Sequence, residues 1–122
     1  MSDKTNAVER EKIFHAGDFN WWNWEGDTLE NRTMMEKIFK KQLKRMSDME
    51  ADVAFFPVDG RLGNSQEMGA KAFLSKTKVK FLVAMHRVNY PLWQPSENFF
   101  AESEVIPTWA PTKSGEYITI NN

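Results

Sequence analysis

The stretch Phe14-His15-Ala16-Gly17-Asp18, running on into Phe19-Asn20-Trp21-Trp22, ends a short apolar run on a glycine and then a carboxylate. A carboxylate just past a glycine at a strand end is well placed to face a metal or a reacting group. Val79-Lys80-Phe81-Leu82-Val83-Ala84-Met85-His86 repeats the arrangement, a strand-like run with a polar residue at its carboxyl tip. Between them, Val53-Ala54-Phe55-Phe56-Pro57 is a short continuous apolar run, the pattern of a strand covered on both sides.

Helical spacing fills the gaps. Met35, Ile38, Phe39, Leu43 and Met46 recur on one helical face over 33–46. Thr33 with Glu36 forms a capping box, and Asp27 or Thr28 offers a start one turn earlier. The opposite face carries Lys37, Lys40, Lys41, Lys44 and Arg45, which reads as a solvated outer surface in preference to a phosphate-binding one. After the turn-rich Asp59-Gly60-Arg61-Leu62-Gly63-Asn64, a second helix is expected over 65–76. Strand, helix, strand, helix, strand in that order predicts parallel pairing with helices packed on the sheet. The fold class is α/β, with one mixed sheet and its helices on one face. Beyond His86 the prolines at 91, 95, 107 and 111 interrupt the chain; a short helix over 97–104 and an edge strand over 116–120 are expected there. Residues 1–10 read as a flexible lead-in, and 11–122 as one domain unit.

Composition narrows the classes. At 122 residues the chain is long enough for one packed domain. Its 41% apolar and 13% aromatic content is that of a folded protein. A net charge of −1 gives no electrostatic reason to expect nucleic acid or an anionic membrane as partner. The lack of cysteine removes disulfides, thiolate zinc ligands and cysteine nucleophiles together. No run reaches the roughly 18 apolar residues that a spanning helix needs, and the polar start lacks a signal-peptide pattern. A cytoplasmic location is expected.

Taken alone, Asp18 reads as a turn aspartate bonding its own backbone or as a ligand, and His86 as a surface histidine or a ligand. The His-Ala-Gly-Asp turn with its tryptophan-rich loop, the Phe55-Phe56-Pro57-Val58-Asp59 run followed by Leu62-Gly63, and the strand ending in His86 resemble the metallo-β-lactamase superfamily of zinc hydrolases. The likeness runs over residues 12–91, in order and spacing. It implies that this chain is the carboxyl-terminal half of an αββα sandwich. It also implies a site of two zinc ions, with Asp18 bridging them and His86 a ligand to one. Zinc takes imidazole and carboxylate ligands and keeps a position open for water, and a metal pair generates hydroxide near neutral pH.

Further residues are candidates around that site, Asp59 because it follows the central strand at the same carboxyl edge if the strands are parallel. His15 would support a ligand, with direct ligation the alternative. Trp21 and Trp22, with Trp24, would line a substrate pocket or pack; three tryptophans within four positions cannot all face one way in an extended loop. Asp59 would be a pocket residue or a loop cap, and Arg61 an anion contact or a solvent-exposed cation.

The departure is in ligand number. The superfamily's His-x-His-x-Asp-His cluster has no counterpart, because the chain holds two histidines in all. Neither zinc reaches four ligands from this chain alone. Two readings follow: part of a metal-dependent hydrolase of a small-molecule substrate, inactive alone, or a non-catalytic fragment serving as an interaction or complementing subunit. In either, one sheet face lacks a cover, so a homo-oligomer or a complementing chain is expected unless Phe99, Phe100, Val105, Ile106 and Trp109 fold over it.

Overall fold

Apolar runs with no polar residue in the middle take central places in a parallel sheet, and Val53–Pro57 does so here. The structure is a computed structural model and describes residues 12–85 and 93–110. Strand β1 (Ile13–His15) pairs with β3 (Val53–Pro57), β3 with β5 (Leu82–Met85), and β5 with β6 (Thr108–Trp109), giving the order β1-β3-β5-β6. Every pairing is parallel, so among the described residues the sheet is parallel rather than mixed. The edge strand expected over 116–120 lies outside the described residues.

Upstream, β2 (Glu50–Ala51) pairs in parallel with β4 (Lys78–Val79). Its register offset is that of β3 and β5, so the ladder resumes in step after the break at Asp52 and Lys80-Phe81. The expected strand over 79–85 is thereby cut in two. Asp52 occupies the break, accepting from the Lys12 backbone N–H at 2.8 Å and lying 3.2 Å from Lys80 Nζ. Those partners, the Lys12 bond first, lower its pKa below the ordinary 3.8. A depressed carboxylate of this kind contributes stability above its unfolded value and loses it as pH falls through the lower folded one.

Helix α1 (Leu29–Arg45) begins at the earlier of the two starts that the sequence offers: Thr28 is the N-cap, its Oγ1 accepting from Asn31 N at 3.1 Å. Its basic residues from Lys37 to Arg45 face solvent. Helix α2 (Met68–Lys76) is preceded by a 3-10 segment (Gly60–Ser65). Both helices cover one face of the sheet. The register puts Phe14, Ala54, Phe56, Leu82 and Ala84 on that face. Phe73 of α2 stacks on Phe56 at 4.7 Å and on Phe14 at 5.2 Å. Phe39 of α1 stacks on Phe19 at 4.8 Å, and Phe19 meets Phe56 edge-on. Consecutive right-handed crossovers that step the same way along a sheet place their helices on the same side.

The described residues 93–106 join this core instead of crossing the opposite face. Trp93 and Phe99 are buried in the cluster that holds Phe56, Ala70, Phe73 and Ala84, and Val105 stays exposed. Residues 97–102 form turns, not the expected helix. Glu67, just before α2, clamps the segment: its carboxylate accepts from Trp93 Nε1 at 2.8 Å, from Ser96 N at 2.9 Å and from Ser96 Oγ. The other face of the sheet presents Ile13, His15, Val53, Phe55, Val83, Met85 and Trp109. Val53 and Val83 are buried at its centre, Phe55, Met85 and Trp109 are half-buried, and Ile13 is exposed at its edge.

Gly69, in the first turn of α2, lets the loop after β1 dock. A Cβ there would overlap Asn20 Oδ1 and come within 2.9 Å of the Trp21 backbone nitrogen. Gly69→Ala should therefore lower stability by about 1–2 kcal/mol, the overlap outweighing a helix-propensity gain of about 1 kcal/mol. Urea unfolding monitored by circular dichroism checks this; an unchanged or raised midpoint would contradict the packing.

Candidate functional site

In a parallel sheet every strand ends at the same edge, and ligand-binding loops gather there. The loop after β1 (residues 16–28), the one after β3 (58–67) and the chain beyond Met85 all leave this edge. Asp18 and Asp59 lie on the first two, and Asp18, Asp59 and the end of β5 are brought to one side of the sheet. His86 follows β5 directly in sequence but lies outside the described residues.

Gly17 makes the turn after β1 with φ +60°, a conformation that a side chain resists. Its N–H donates to His15 Nδ1 at 3.0 Å, and Ala16 N–H donates to Phe55 O at 2.9 Å, tying the turn to β3. His15 stacks on Phe55 with ring centroids 5.4 Å apart, on the sheet face away from the helices. Its Nδ1 is thus committed to the turn, and only Nε2 remains for a further partner. Asp18 is exposed in the turn, and its carbonyl accepts from Trp22 Nε1 at 2.8 Å.

The tryptophans divide. Trp21 packs inward on Phe39 at 5.7 Å, with Lys40 over its ring. Trp22 and Trp24, two positions apart, stack at 5.7 Å and 11°. Asn20 is buried against Gly69 of α2; its Oδ1 accepts from Trp21 N at 2.8 Å. Asn20 Nδ2 has no acceptor among the described residues.

Asp59 turns out to be a cap and an ion-pair anchor. It is fully buried, caps the 3-10 segment through a bond from Arg61 N to Oδ1 at 2.9 Å, and clasps the Arg61 guanidinium. Nε lies 3.1 and 3.2 Å from the two carboxylate oxygens, and Nη2 lies 2.7 Å from Oδ2. These bonds, and then the charge of Asp59, raise the Arg61 pKa further above its already high value. The guanidinium sits over Trp24 at 5.5 Å. Two residues absent from the sequence reading join the same surface. Arg32 Nε donates to Asn23 Oδ1 at 2.9 Å, and Asn23 Nδ2 donates to Ser65 Oγ at 2.8 Å. Asp-x-Arg just after a strand and Trp-x-Trp in a loop were the available signals for the Trp24–Arg61–Asp59 unit; nothing local marks Arg32 or Asn23.

No group of three or more His, Cys, Asp or Glu side chains suited to a metal ion exists among the described residues. By themselves they do not fit a zinc centre: Asp59 is spent on Arg61, and His15 Nδ1 on the turn. A concavity of about 1040 Å³ lies elsewhere, at the amino edge of the sheet, where Lys12, Asp52, Lys80, Glu102 and Glu104 mix charges of both signs. No helix among the described residues is long and apolar enough to cross a membrane.

The class that the architecture defines is α/β, a parallel sheet covered by helices. Comparison with protein-family models, curated proteins and solved structures returns no match to this chain.

Asp59→Asn should cost about 2–3 kcal/mol, since it weakens a buried cap and removes the charge facing a half-exposed guanidinium. Thermal and urea unfolding test this; a change within about 0.5 kcal/mol, the usual surface range, would mean that the clasp does not hold the loop.

Proposed function

We propose that this chain is the carboxyl-terminal part of a metal-dependent hydrolase of metallo-β-lactamase type, carrying Asp18 and His86 toward a metal site completed by residues outside these 122. The observation supporting the reading is the parallel ladder β1-β3-β5, which sends the His-Ala-Gly-Asp turn, the Asp59 loop and the exit from β5 to one edge. The sequence order of those segments is the order in which the superfamily presents its last two metal-binding motifs. Because the described residues do not fit zinc unaided, no hydrolytic step is assigned to them. What they offer is a rigid edge: a glycine turn that presents Asp18, and a second loop pinned by Asp59 and Arg61.

A second reading, a non-catalytic interaction or complementing subunit, draws on the sheet face away from the helices. There Phe55, Met85 and Trp109 are only half-buried and Ile13 is exposed. In a two-sheet sandwich such a face is covered by the other sheet, about 10 Å away.

Zinc titration by calorimetry separates the outcomes. The purified chain should show no site tighter than about 1 μM, roughly −8 kcal/mol. Joined to an amino-terminal half bearing His-x-His-x-Asp-His, it should gain a zinc site that Asp18→Ala and His86→Ala each abolish. A joined protein whose zinc affinity ignores both substitutions would refute the hydrolase reading. A tight site in the chain alone, lost in both variants, would mean that two copies assemble the ligands between them.

A further inference from the structure

The Asp59–Arg61 clasp leaves part of a fixed guanidinium facing outward at the edge where the hydrolase reading places its chemistry. A guanidinium carries five N–H groups in one plane. The clasp is side-on: Asp59 takes the Nε–H and the near side of Nη2. The groups on Nη1 and the outer side of Nη2 meet no acceptor among the described residues, and the side chain is 48% exposed while its carboxylate partner is fully buried. Those groups form the end-on fork, whose spacing matches the oxygens of a carboxylate or phosphate.

The fork is held still from several sides. The same carboxylate that takes the guanidinium also caps Arg61 N, so backbone and side chain are anchored to one group. Trp24 lies against the guanidinium at 5.5 Å and is itself backed by Trp22. A long side chain of this kind normally loses rotamer freedom on binding; here that freedom is already lost on folding. Arg32, in the first turn of α1 and oriented by Asn23, adds a second cation beside these loops with no carboxylate partner among the described residues. Glu25 rests against Gly63 of the Arg61 loop, and Asp59 offsets Arg61. Local charge is therefore near balance, and recognition must come from the directed fork more than from a broad positive field.

We propose that Arg61, fixed by Asp59 and backed by Trp24, is an anion-recognition residue at the carboxyl edge that takes a carboxylate or phosphate group of a small-molecule ligand. The assignment rests on the hydrolase reading only in naming that ligand a substrate. Titration of the zinc-free chain with inorganic phosphate and, separately, with acetate tests it by NMR, through the Arg61 Nε–H and the Trp22 and Trp24 indole signals. At least one of the two anions should give saturable shifts centred on residues 22–25 and 60–65, and the stronger one names the ligand group. Arg61→Lys, which keeps the charge and loses the fork, should weaken binding by about tenfold or more, the loss of a charge-assisted hydrogen bond. If that variant fails to fold, Trp24→Leu keeps the clasp and should weaken binding severalfold. Shifts centred on the Lys37–Arg45 face, no saturable shift with either anion, or wild-type affinity in the folded variants would overturn the proposal. Anion binding beside a failed zinc test would leave this site standing and remove the hydrolase reading.

Discussion

The parallel pairing of β3 with a neighbour on each side is the constraint from which the rest of the structure follows. Parallel neighbours cannot be joined by a hairpin, so each pairing demands a crossover long enough to hold a helix. The chain meets that demand twice, with α1 between β1 and β3 and α2 between β3 and β5. Because the crossovers step the same way, both helices fall on one face. Phe14 and Phe56 then become the floor, and Phe39 and Phe73 the ceiling, of a single aromatic core. The same geometry brings every strand's carboxyl end to one edge.

At that edge the first two loops interlock instead of standing apart. Asn20 fits against Gly69, Asn23 bonds Ser65, Glu25 rests on Gly63, and Trp24 lies beneath Arg61. The contacts are polar or aromatic and short in reach, so they hold orientation rather than bury much area. A buried carboxylate is costly to desolvate unless its lone pairs are filled. Asp59 meets that condition by capping its own turn and clasping Arg61 at once. The arrangement gives the edge stiffness, and its cations and aromatic rings remain at the surface.

The two ends of the sheet differ in chemistry. At the amino edge Asp52 bridges the Lys12 backbone and the Lys80 ammonium across a break in the ladder. Exposed pairs of that kind contribute little to stability and are weakened by salt. At the carboxyl edge the ion pair has one buried member and a packed aromatic support. Beside it, Glu67 draws the 93–101 segment onto the helical layer, so the core gains Trp93 and Phe99 without an additional helix.

Local pattern was enough for the elements whose signals are local. Unbroken apolar runs marked β3 and β5, the 3.6-residue recurrence of Phe39 and Leu43 marked α1, and the strand–helix alternation implied parallel pairing and an α/β class. The same pattern placed Asp18 and Asp59 at a common edge, because carboxyl ends coincide in any parallel sheet. It left the start of α1 open between two caps, since Thr28 and Thr33 are chemically alike. It overestimated helix at 97–104, where the Glu67 clamp and burial of Phe99 prevail over propensity. The Asp59–Arg61 clasp is local, two residues apart, and Asp-x-Arg carried its signal. Which tryptophan turns inward, and that Arg32 and Asn23 join the Ser65 loop, were decided only by tertiary structure. Those outcomes depend on contacts between segments distant in the chain, as Trp21 and Phe39 or Asn23 and Ser65 are, and no local spacing encodes which of two polar partners a packed loop will bring within reach.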